Sequence, residues 1–503
     1  MAPPAQAQDV TLISPDGSVE ISGTLLGFDG EYYRVDTIYG ELTVDGSGVN
    51  CDGPGCPVLT DYVADLTLSG AGSMGRVLLP ALIEVFGDRS GHAVTRTVTG
   101  ADRTLFTLTE KESGRVAGIF TIRLTSSDEG FADLLADEAD IAMMLREVRP
   151  EEARLAREVG LGDMTGRGRA RVLALDALVP IVAPGNPVQR ISMPELARVI
   201  AGEIINWADL GGPDAPITVH VRDRQSGLWQ ATEDRLLAPV GKSLVGSAER
   251  HSDDPALADA VEGDPFGIGL ASVTQIGDSR QIALSGDCGF TLEAARKTIK
   301  TEDYPLTAPM FLYLPARRLP KLARDFLTFT RGTAAQTVIR RAGFTDQQPE
   351  EIGIDLQGNR FANAITRAGE EIGLSELQRM VSVLSGRKRL TTSFRFETGS
   401  ARLDAQSRSN VAQLAHALEA GSYDGRSLLF VGFSDGEGSA KANQAIALRR
   451  AKAVLAAVTE AAETANFDRL DMQADAFGEA LPMACDDSAW GRRVNRRVEV
   501  WLR

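Results

Sequence analysis

The segment Gly432-Phe433-Ser434-Asp435-Gly436-Glu437-Gly438 lies between a strand-like pattern and a helix-like pattern. The apolar run from Leu428 to Phe433 predicts a buried strand, and Asp435 falls in the polar turn that ends it. After this turn, apolar residues recur at i, i+3, i+4 and i+7, which predicts an amphipathic helix. Asn443 and Arg450 are seven residues apart and share one side of that helix. A carboxylate, an amide and a guanidinium are therefore expected to converge beside one strand-to-helix turn.

In this spacing the chain resembles the OmpA-like peptidoglycan-binding domain, whose pattern runs T-D-x-x-G, N-x-x-L-S-x-x-R-A and N-R-R-V-E. The resemblance covers roughly residues 385–503 and predicts an α+β domain over 389–503, with Ile446-Ala447 replacing the usual Leu-Ser. The matching residues are Ser434-Asp435-x-x-Gly438, Asn443, Arg450-Ala451 and Asn495-Arg496-Arg497-Val498-Glu499, and upstream Phe394, Phe396, Ser400 and Leu403-Asp404.

In that family, the Asp and the Arg hold the free end of diaminopimelate in the peptidoglycan stem peptide. The distal carbon of this ligand carries both an ammonium and a carboxylate. The resemblance therefore implies that Asp435 pairs with the ammonium and Arg450 with the carboxylate. It also implies that Ser434 and Asn443 contribute to peptidoglycan binding and that Arg496 or Arg497 lines the groove.

Length and charge limit the possible classes of protein. A chain of 503 residues predicts about three domains. The net charge of −16 argues against non-specific binding of nucleic acid. No apolar run approaches the ~20 residues that a membrane-spanning helix needs.

The N-terminal residues 1–8 resemble the remnant of a secretory signal peptide. Ala5-Gln6-Ala7 fits the small-x-small cleavage pattern, although the charged and apolar regions that normally precede it are absent. An ordinary flexible N-terminus is the alternative. Because a wall-binding domain requires export, we expect a periplasmic protein associated with peptidoglycan and the outer membrane.

The four cysteines fit an oxidising compartment. Cys51 and Cys56 flank a short Gly/Pro loop, and we predict a disulfide there rather than a zinc site. Cys288 and Cys485 fall in different predicted domains, so their pairing stays open. Residues 9–57 alternate apolar and polar residues between Gly turns and predict an accessory β module of about four strands.

Residues 58–345 alternate strand and helix patterns, which predicts an α/β domain. Near its start, Gly70-x-Gly72-x-x-Gly75 follows a strand and precedes a helix. This motif suits either a dinucleotide fold or an anion at a helix N-terminus. Thr99-Gly100-Ala101 ends the second strand where a dinucleotide fold requires an acidic residue, so a nucleotide-dependent enzyme is disfavoured.

Two later stretches, Ser192–Gly212 and Arg222-Asp-Arg-Gln-Ser226-Gly227, carry a more specific pattern. Here the chain resembles the periplasmic substrate-binding proteins of phosphate-type ABC transporters, which contain L-x-x-I-F-x-G-x-I-x-N-W and R-x-x-x-S-G-T. The resemblance implies a two-lobed periplasmic-binding-protein (type 2) α/β domain with a ligand cleft. Residues 346–388, including a predicted helix from Ser375 to Leu384, are expected to form a connector.

The resemblance implies an oxyanion site formed by hydroxyls, backbone N–H groups and one guanidinium. Phosphate specialists also carry an Asp where this chain has Leu145, and a Thr where it has Leu228. These departures leave a related oxyanion or a small acidic ligand open. The residues carried over are Ser73, Met74, Ser127, Arg222, Ser226 and Gly227.

The combined interpretation is an α/β multidomain protein: a small β module, a solute-binding domain for phosphate or a related oxyanion, and a domain that holds it non-covalently to peptidoglycan. An ABC transporter or a sensor in the inner membrane is the expected further partner. The alternative is a structural envelope protein whose binding domain has lost its anion and serves as a protein-interaction scaffold. The four histidines look scattered and no catalytic motif is present, so we expect neither enzyme activity, nor a cofactor, nor a metal.

Overall fold

The computed structural model describes residues 9–58, 62–286, 288–366, 372–397, 400 and 402–503. The predicted signal-peptide remnant, residues 1–8, lies outside the described residues. The chain divides into two compact units. The first contains Met1–Met143, Pro150–Met164 and Leu314–Val338, and the second contains Met144–Arg149, Thr165–Tyr313 and Ile339–Arg503.

The first unit begins with a five-stranded antiparallel sheet, of strand order β4-β3-β2-β1-β5. Its small core contains Val10, Leu12, Tyr33 and Val35. Cys51 and Cys56 are joined by a disulfide. The strands are β1 (Asp9–Ile13), β2 (Glu20–Phe28), β3 (Tyr32–Thr37), β4 (Gly40–Asp45) and β5 (Asn50–Asp52).

The same unit contains a mixed sheet of order β10-β6-β9-β8-β7, in which β6 runs parallel to both of its neighbours. The strands are β6 (Ala64–Ala71), β7 (His92–Val98), β8 (Arg103–Glu110), β9 (Val116–Thr125) and β10 (Ile141–Met144). The helices are α1 (Leu79–Arg89, preceded by a π turn at Met74–Leu78), α2 (Ser127–Leu135) and α3 (Pro150–Glu158).

The second unit contains a sheet of order β14-β13-β15-β11-β19, with β16 also paired to β11, and a small sheet β12-β17-β18. Its strands are β11 (Ala170–Val182), β12 (Arg190–Ser192), β13 (Thr218–Arg222), β14 (Glu249–His251), β15 (Gly267–Ser272), β16 (Arg280–Gln281), β17 (Ala283–Ser285), β18 (Thr291–Leu292) and β19 (Thr307–Tyr313). Its first helices are α4 (Met193–Ile200), α5 (Gly227–Thr232), α6 (Asp254–Gly263) and α7 (Arg296–Lys300).

Two further helices, α8 (Lys321–Phe329) and α9 (Thr333–Arg341), follow β19. In the first unit, the N-terminal module packs beside α8 through charged contacts. Arg318 pairs with Asp29 at 2.5 Å and lies over the Tyr32 ring, and Arg324 pairs with Glu31 at 2.7 Å. The module is thus attached to the first lobe by ion pairs and a cation–π contact.

The C-terminal sheet has the order β20-β21-β24-β22-β23, with β24 antiparallel to both neighbours. Its strands are β20 (Glu351–Ile352), β21 (Lys388–Phe394), β22 (Ser427–Phe433), β23 (Asp471–Gly478) and β24 (Arg497–Leu502). Its helices are α10 (Gly358–Thr366), α11 (Leu374–Leu384), α12 (Ala405–Glu419), α13 (Ala440–Ala461) and α14 (Ala489–Asn495).

One feature of this domain differs from the sequence-based expectation. The pattern predicted β-α-β-α-β-β, but the short helix α14, capped by Ser488, separates the last two strands. The predicted connector also contributes to the fold, because β20 pairs with β21 and Met380 and Leu384 of α11 are buried against the sheet. Among the described helices, none combines the length and apolar character that a membrane crossing requires.

Within the second unit, buried polar contacts join the second lobe to the C-terminal domain. Asp303 accepts hydrogen bonds from Arg389 at 2.7 and 3.1 Å, and both side chains are buried. Cys288 and Cys485 form a disulfide, which settles the pairing that the sequence left open. The two parts are therefore connected by a disulfide and by a buried ion pair.

Replacing Asp303 with Asn should lower the free energy of unfolding by about 3–5 kcal/mol, because the buried Arg389 loses its hydrogen-bonded carboxylate and keeps only the more distant Glu499, 3.4 Å from its Nε. Burial raises the pKa of Asp303, but the Arg389 guanidinium more than offsets this, so the pKa lies below its usual value. The stabilisation is therefore present above the unfolded-state pKa of about 3.9 and is lost as the pH falls through the folded pKa. Thermal and urea unfolding between pH 7 and pH 3 measures both effects.

The matched control is Asp424→Asn, which removes a solvent-exposed ion pair with Arg469 at 3.1 Å. We expect a loss below about 1 kcal/mol there. Equal losses in the two variants would contradict the role assigned to the buried pair.

Replacing both Cys288 and Cys485 with Ser should lower the free energy of unfolding more than replacing both Cys51 and Cys56 with Ser. The first pair is 197 residues apart in sequence and the second only 5. Chain entropy then predicts losses of about 5 and about 2 kcal/mol respectively. Thermal unfolding of both double variants tests this, and a larger loss for the short loop would show that loop closure is not the dominant effect.

Candidate functional site

The end of strand β22 lies against helix α13 through a close backbone contact. A Cβ atom on Gly432 would lie 2.0 Å from the carbonyl oxygen of Ala447, so only glycine allows this approach. Ser439 caps α13 by accepting a hydrogen bond from the amide of Ala442. The turn that follows β22 therefore leads into a helix that packs on the same strand, as the sequence predicted.

This loop brings two arginines near Asp435. Asp435 is only 8% exposed, and its Oδ2 accepts a hydrogen bond from Arg496 at 2.6 Å. The Arg450 guanidinium lies 5.1 Å from the centre of the Phe396 ring. Burial lowers the pKa of Arg450, the charge of Arg496 lowers it further, and the charge of Asp435 opposes both. Among the described residues, Arg450 has no hydrogen-bond or ion-pair partner.

Two more carboxylates border the loop. Asn443 donates a hydrogen bond to Glu479 at 2.7 Å, and the amide of Gly436 donates to Asp486 at 2.7 Å. Burial raises the pKa of Asp486, and the charge of Asp435 raises it further. Sequence reasoning missed Glu479 and Asp486, which lie outside the motif, so no local signal pointed to them.

Two predicted residues of this site differ in their hydrogen bonding. Ser434 has a buried hydroxyl oxygen without a partner among the described residues. Arg497, in contrast, is fully buried and donates to Glu499, to the carbonyls of Asn495 and Leu481, and packs over a ring. Arg497 therefore has a structural role, and its neighbour Arg496 takes the place beside Asp435. The expectation that Arg497 lines the groove was wrong.

The arrangement combines acidic groups around the loop with a guanidinium that has no hydrogen-bond or ion-pair partner among the described residues. Acidic oxygens accept hydrogen bonds from an ammonium, and a guanidinium binds a carboxylate through two parallel hydrogen bonds. The site is thus chemically suited to a zwitterionic amino-acid centre.

In the first unit, the predicted anion residues lie at the ends of β6 and β9. Gly70 has φ +138°, and a Cβ there would lie 2.0 Å from the Met143 carbonyl oxygen. The following turn carries Ser73, whose hydroxyl oxygen is buried without a partner among the described residues. The Met74 side chain is fully buried in the core, so it cannot present its thioether to a ligand.

Ser127 is the first residue of α2 and is fully buried. The cap itself is Ser126, whose hydroxyl accepts from the Glu129 amide while the Glu129 carboxylate accepts from the Ser126 amide. This capping box orients the start of the helix. Ser73 and Ser127 therefore both lie at helix N-termini of the first unit.

In the second unit, Arg222 ends β13 and Ser226 caps α5, whose first residue is Gly227. The Arg222 guanidinium pairs with Asp254 and also donates to the carbonyls of His251 at 3.2 Å and Ser252 at 2.8 Å. The Ser226 hydroxyl accepts from the Trp229 amide at 3.0 Å and keeps its own proton for another acceptor. Leu145 and Leu228 are buried.

One side-chain cluster of the second unit contradicts the expectation that the histidines are scattered. Nδ1 of His220 lies 3.1 Å from Nε2 of His251, although the two residues are 31 positions apart. Glu249 joins them in a group of ligand atoms that all lie within 4.8 Å of one another. Parallel pairing of β13 with β14 brings these residues together, which no local spacing could reveal.

Comparison with known proteins covers both parts of the chain. The PBP superfamily domain matches residues 63–332, and the OmpA family matches residues 395–496. Among curated proteins, the phosphate-binding protein PstS of Borreliella burgdorferi is 25% identical over 178 residues, which is 34% of this chain and 64% of that protein. Protein SphX of Synechococcus elongatus is 25% identical over 236 residues, 44% of this chain and 68% of that protein.

The chain spans less than two thirds of the first of these relatives, at 64% of its length. Among solved structures, an ABC-type phosphate transport receptor from Vibrio cholerae matches with a TM-score of 0.43 and 19% identity, covering 56% of this chain and 98% of the receptor.

The match over residues 63–332 is more than half of the chain, and the described strands and helices there form the α/β lobes. The C-terminal match coincides with the sheet and helices that hold Asp435 and Arg450. The chain therefore belongs to the PBP superfamily and carries an OmpA-family domain at its C-terminal end.

Proposed function

We propose that this protein is a periplasmic solute-binding protein for phosphate or a related oxyanion, which its OmpA-family domain anchors non-covalently to peptidoglycan. The observation that carries the anchoring is the Arg450 guanidinium, which has no hydrogen-bond or ion-pair partner among the described residues and lies within the electrostatic influence of Asp435. A half-buried guanidinium without an internal anion favours an external one.

The ligand we assign to this pair is the free end of diaminopimelate in the stem peptide. Its carboxylate would bind Arg450 through two hydrogen bonds. Its ammonium would bind Asp435, whose Oδ2 already accepts from Arg496 and whose Oδ1 has no partner among the described residues. Ser434 and Asn443 border the same loop and complete the proposed contact surface.

Replacing Arg450 with Ala should weaken binding to diaminopimelate-containing peptidoglycan by about tenfold or more, because hydrogen bonds to charged groups contribute about 1.5–3 kcal/mol. Asp435→Ala should have a similar effect. Arg450→Lys should fall between the wild type and Arg450→Ala, since lysine keeps the charge but loses the planar fork. Co-sedimentation of the full chain with purified peptidoglycan measures all three.

The matched control is Arg449→Ala, which removes a solvent-exposed arginine from the neighbouring position of α13. It should bind as the wild type does. Unchanged sedimentation of both Asp435→Ala and Arg450→Ala would exclude the proposed contact.

Each unit contains its own donors for an oxyanion. In the first unit, Ser73 carries a buried hydroxyl without a partner among the described residues. In the second unit, Ser226 keeps a donor proton at the start of α5. Arg222 uses three N–H groups on internal acceptors, which leaves two of the five that a guanidinium carries. Because Leu145 replaces the proton-accepting Asp of the phosphate specialists, an oxyanion without a proton to donate suits these residues better than hydrogen phosphate.

Isothermal titration calorimetry of the full chain with phosphate, sulfate, molybdate, tungstate and small carboxylates tests the proposed binding of an anion. We expect one of these anions to bind, and Ser73→Ala to weaken that binding by about tenfold. The variant should fold normally because the Ser73 hydroxyl has no described internal bond to lose. Ser434→Ala is the control, since it removes an equally unpartnered hydroxyl from the C-terminal domain.

The alternative is an envelope scaffold that binds a protein instead of an anion. Its support is that Arg222 already neutralises Asp254 and that Leu145 and Leu228 are buried and apolar. Absence of binding by every anion tested would favour this alternative. An inner-membrane ABC transporter or sensor is the partner that the first function requires, and neither function needs a catalytic group or a cofactor.

A further inference from the structure

We propose that His220, Glu249 and His251 form a binding site for a divalent transition-metal ion, with zinc as the best fit. This site is separate from the peptidoglycan contact and does not depend on the proposed function.

Strand pairing places the three side chains together. In the parallel pair β13–β14, His220 lies opposite Glu249 and Arg222 lies opposite His251. Glu249 and His251 are two residues apart on one strand and therefore project to the same face of the sheet. The site is thus part of the sheet itself and not of a loop.

The distances agree with tetrahedral coordination. Zinc binds imidazole nitrogen and carboxylate oxygen at about 2.0–2.1 Å, so two ligand atoms of a tetrahedral site lie about 3.3 Å apart. Here Nδ1 of His220 lies 3.1 Å from Nε2 of His251 and 3.6 Å from Oε2 of Glu249. All three ligand atoms lie within 4.8 Å of one another, so a small inward movement of Glu249 completes one face of a tetrahedron.

A second carboxylate orients the buried histidine. Nε2 of His220 lies 3.2 Å from Oδ2 of Asp264, and Oδ1 of Asp264 accepts from the Phe266 amide at 2.9 Å. An Nε2 proton donated to Asp264 leaves the lone pair of Nδ1 facing His251. Metal-binding histidines typically donate their other ring N–H to a carboxylate in this way. The contact with Asp264 distinguishes this cluster from a pair of histidines that are only hydrogen-bonded to each other.

The donor set also suits a transition metal. Two imidazoles and one carboxylate, without a thiolate, are a donor set for zinc, nickel or copper rather than for calcium or magnesium. Three protein ligands leave a fourth position for water or another small ligand.

The test uses the full chain, produced without an affinity tag and stripped of metal. Zinc is titrated into it in competition with a chromophoric chelator, which measures the zinc affinity and the number of ions bound. We expect one high-affinity zinc ion per chain. His251→Gln and Glu249→Gln should each weaken binding at least tenfold, and Asp264→Asn should weaken it by about 10–100-fold. His251 is only partly buried and Glu249 is exposed, so both variants should fold, and circular dichroism checks this.

The controls are His92→Gln and His416→Gln, which remove histidines outside the cluster and should leave zinc affinity unchanged. If the wild type binds zinc no more tightly than folded His251→Gln does, the contact between His220 and His251 is a hydrogen bond only and the proposal is wrong. A loss of equal size in His92→Gln would likewise overturn it, because it would show non-specific binding.

Discussion

The C-terminal half of the molecule depends on the burial of Glu499. Its carboxylate is fully buried and pairs with Arg360 and Arg497, with Arg389 3.4 Å away. Burial alone would raise the pKa of Glu499, but the three guanidinium groups lower it well below its usual value. An unpaired buried charge costs several kcal/mol. Removing any one of these side chains would therefore leave part of the buried charge unpaired and lower the free energy of unfolding.

This network explains why the predicted connector is part of the fold. Arg360 belongs to α10 in the connector, Arg389 to β21 and Arg497 to β24, and Arg389 also pairs with Asp303 of the second lobe. The Cys288–Cys485 disulfide joins the same two parts. Residues of the PBP-superfamily domain and the loop that carries Asp435 are consequently held within one compact unit.

The structure also separates side chains that serve the fold from those that are available to ligands. Arg497 and Arg496 are adjacent, yet Arg497 is committed to Glu499 while Arg496 pairs with Asp435 at the loop. Similarly, Met74 is part of the core, whereas the hydroxyl of the neighbouring Ser73 has no partner in the part of the chain that the structure describes. A hydroxyl or guanidinium without an internal partner is more informative about binding than one that completes a cap or an ion pair.

The sequence by itself determined the features that depend on local spacing. The apolar run before Asp435, the helical placement of Asn443 and Arg450, and the Gly turns of the N-terminal module all follow from periods of two or 3.6 residues. Only the tertiary structure decided which distant residues meet. The contact of His220 with His251, the bond between Cys288 and Cys485 and the positions of Glu479 and Asp486 depend on strand register and domain packing. Such contacts leave no local signal, because residues far apart in sequence are brought together only when the sheets and the core have formed.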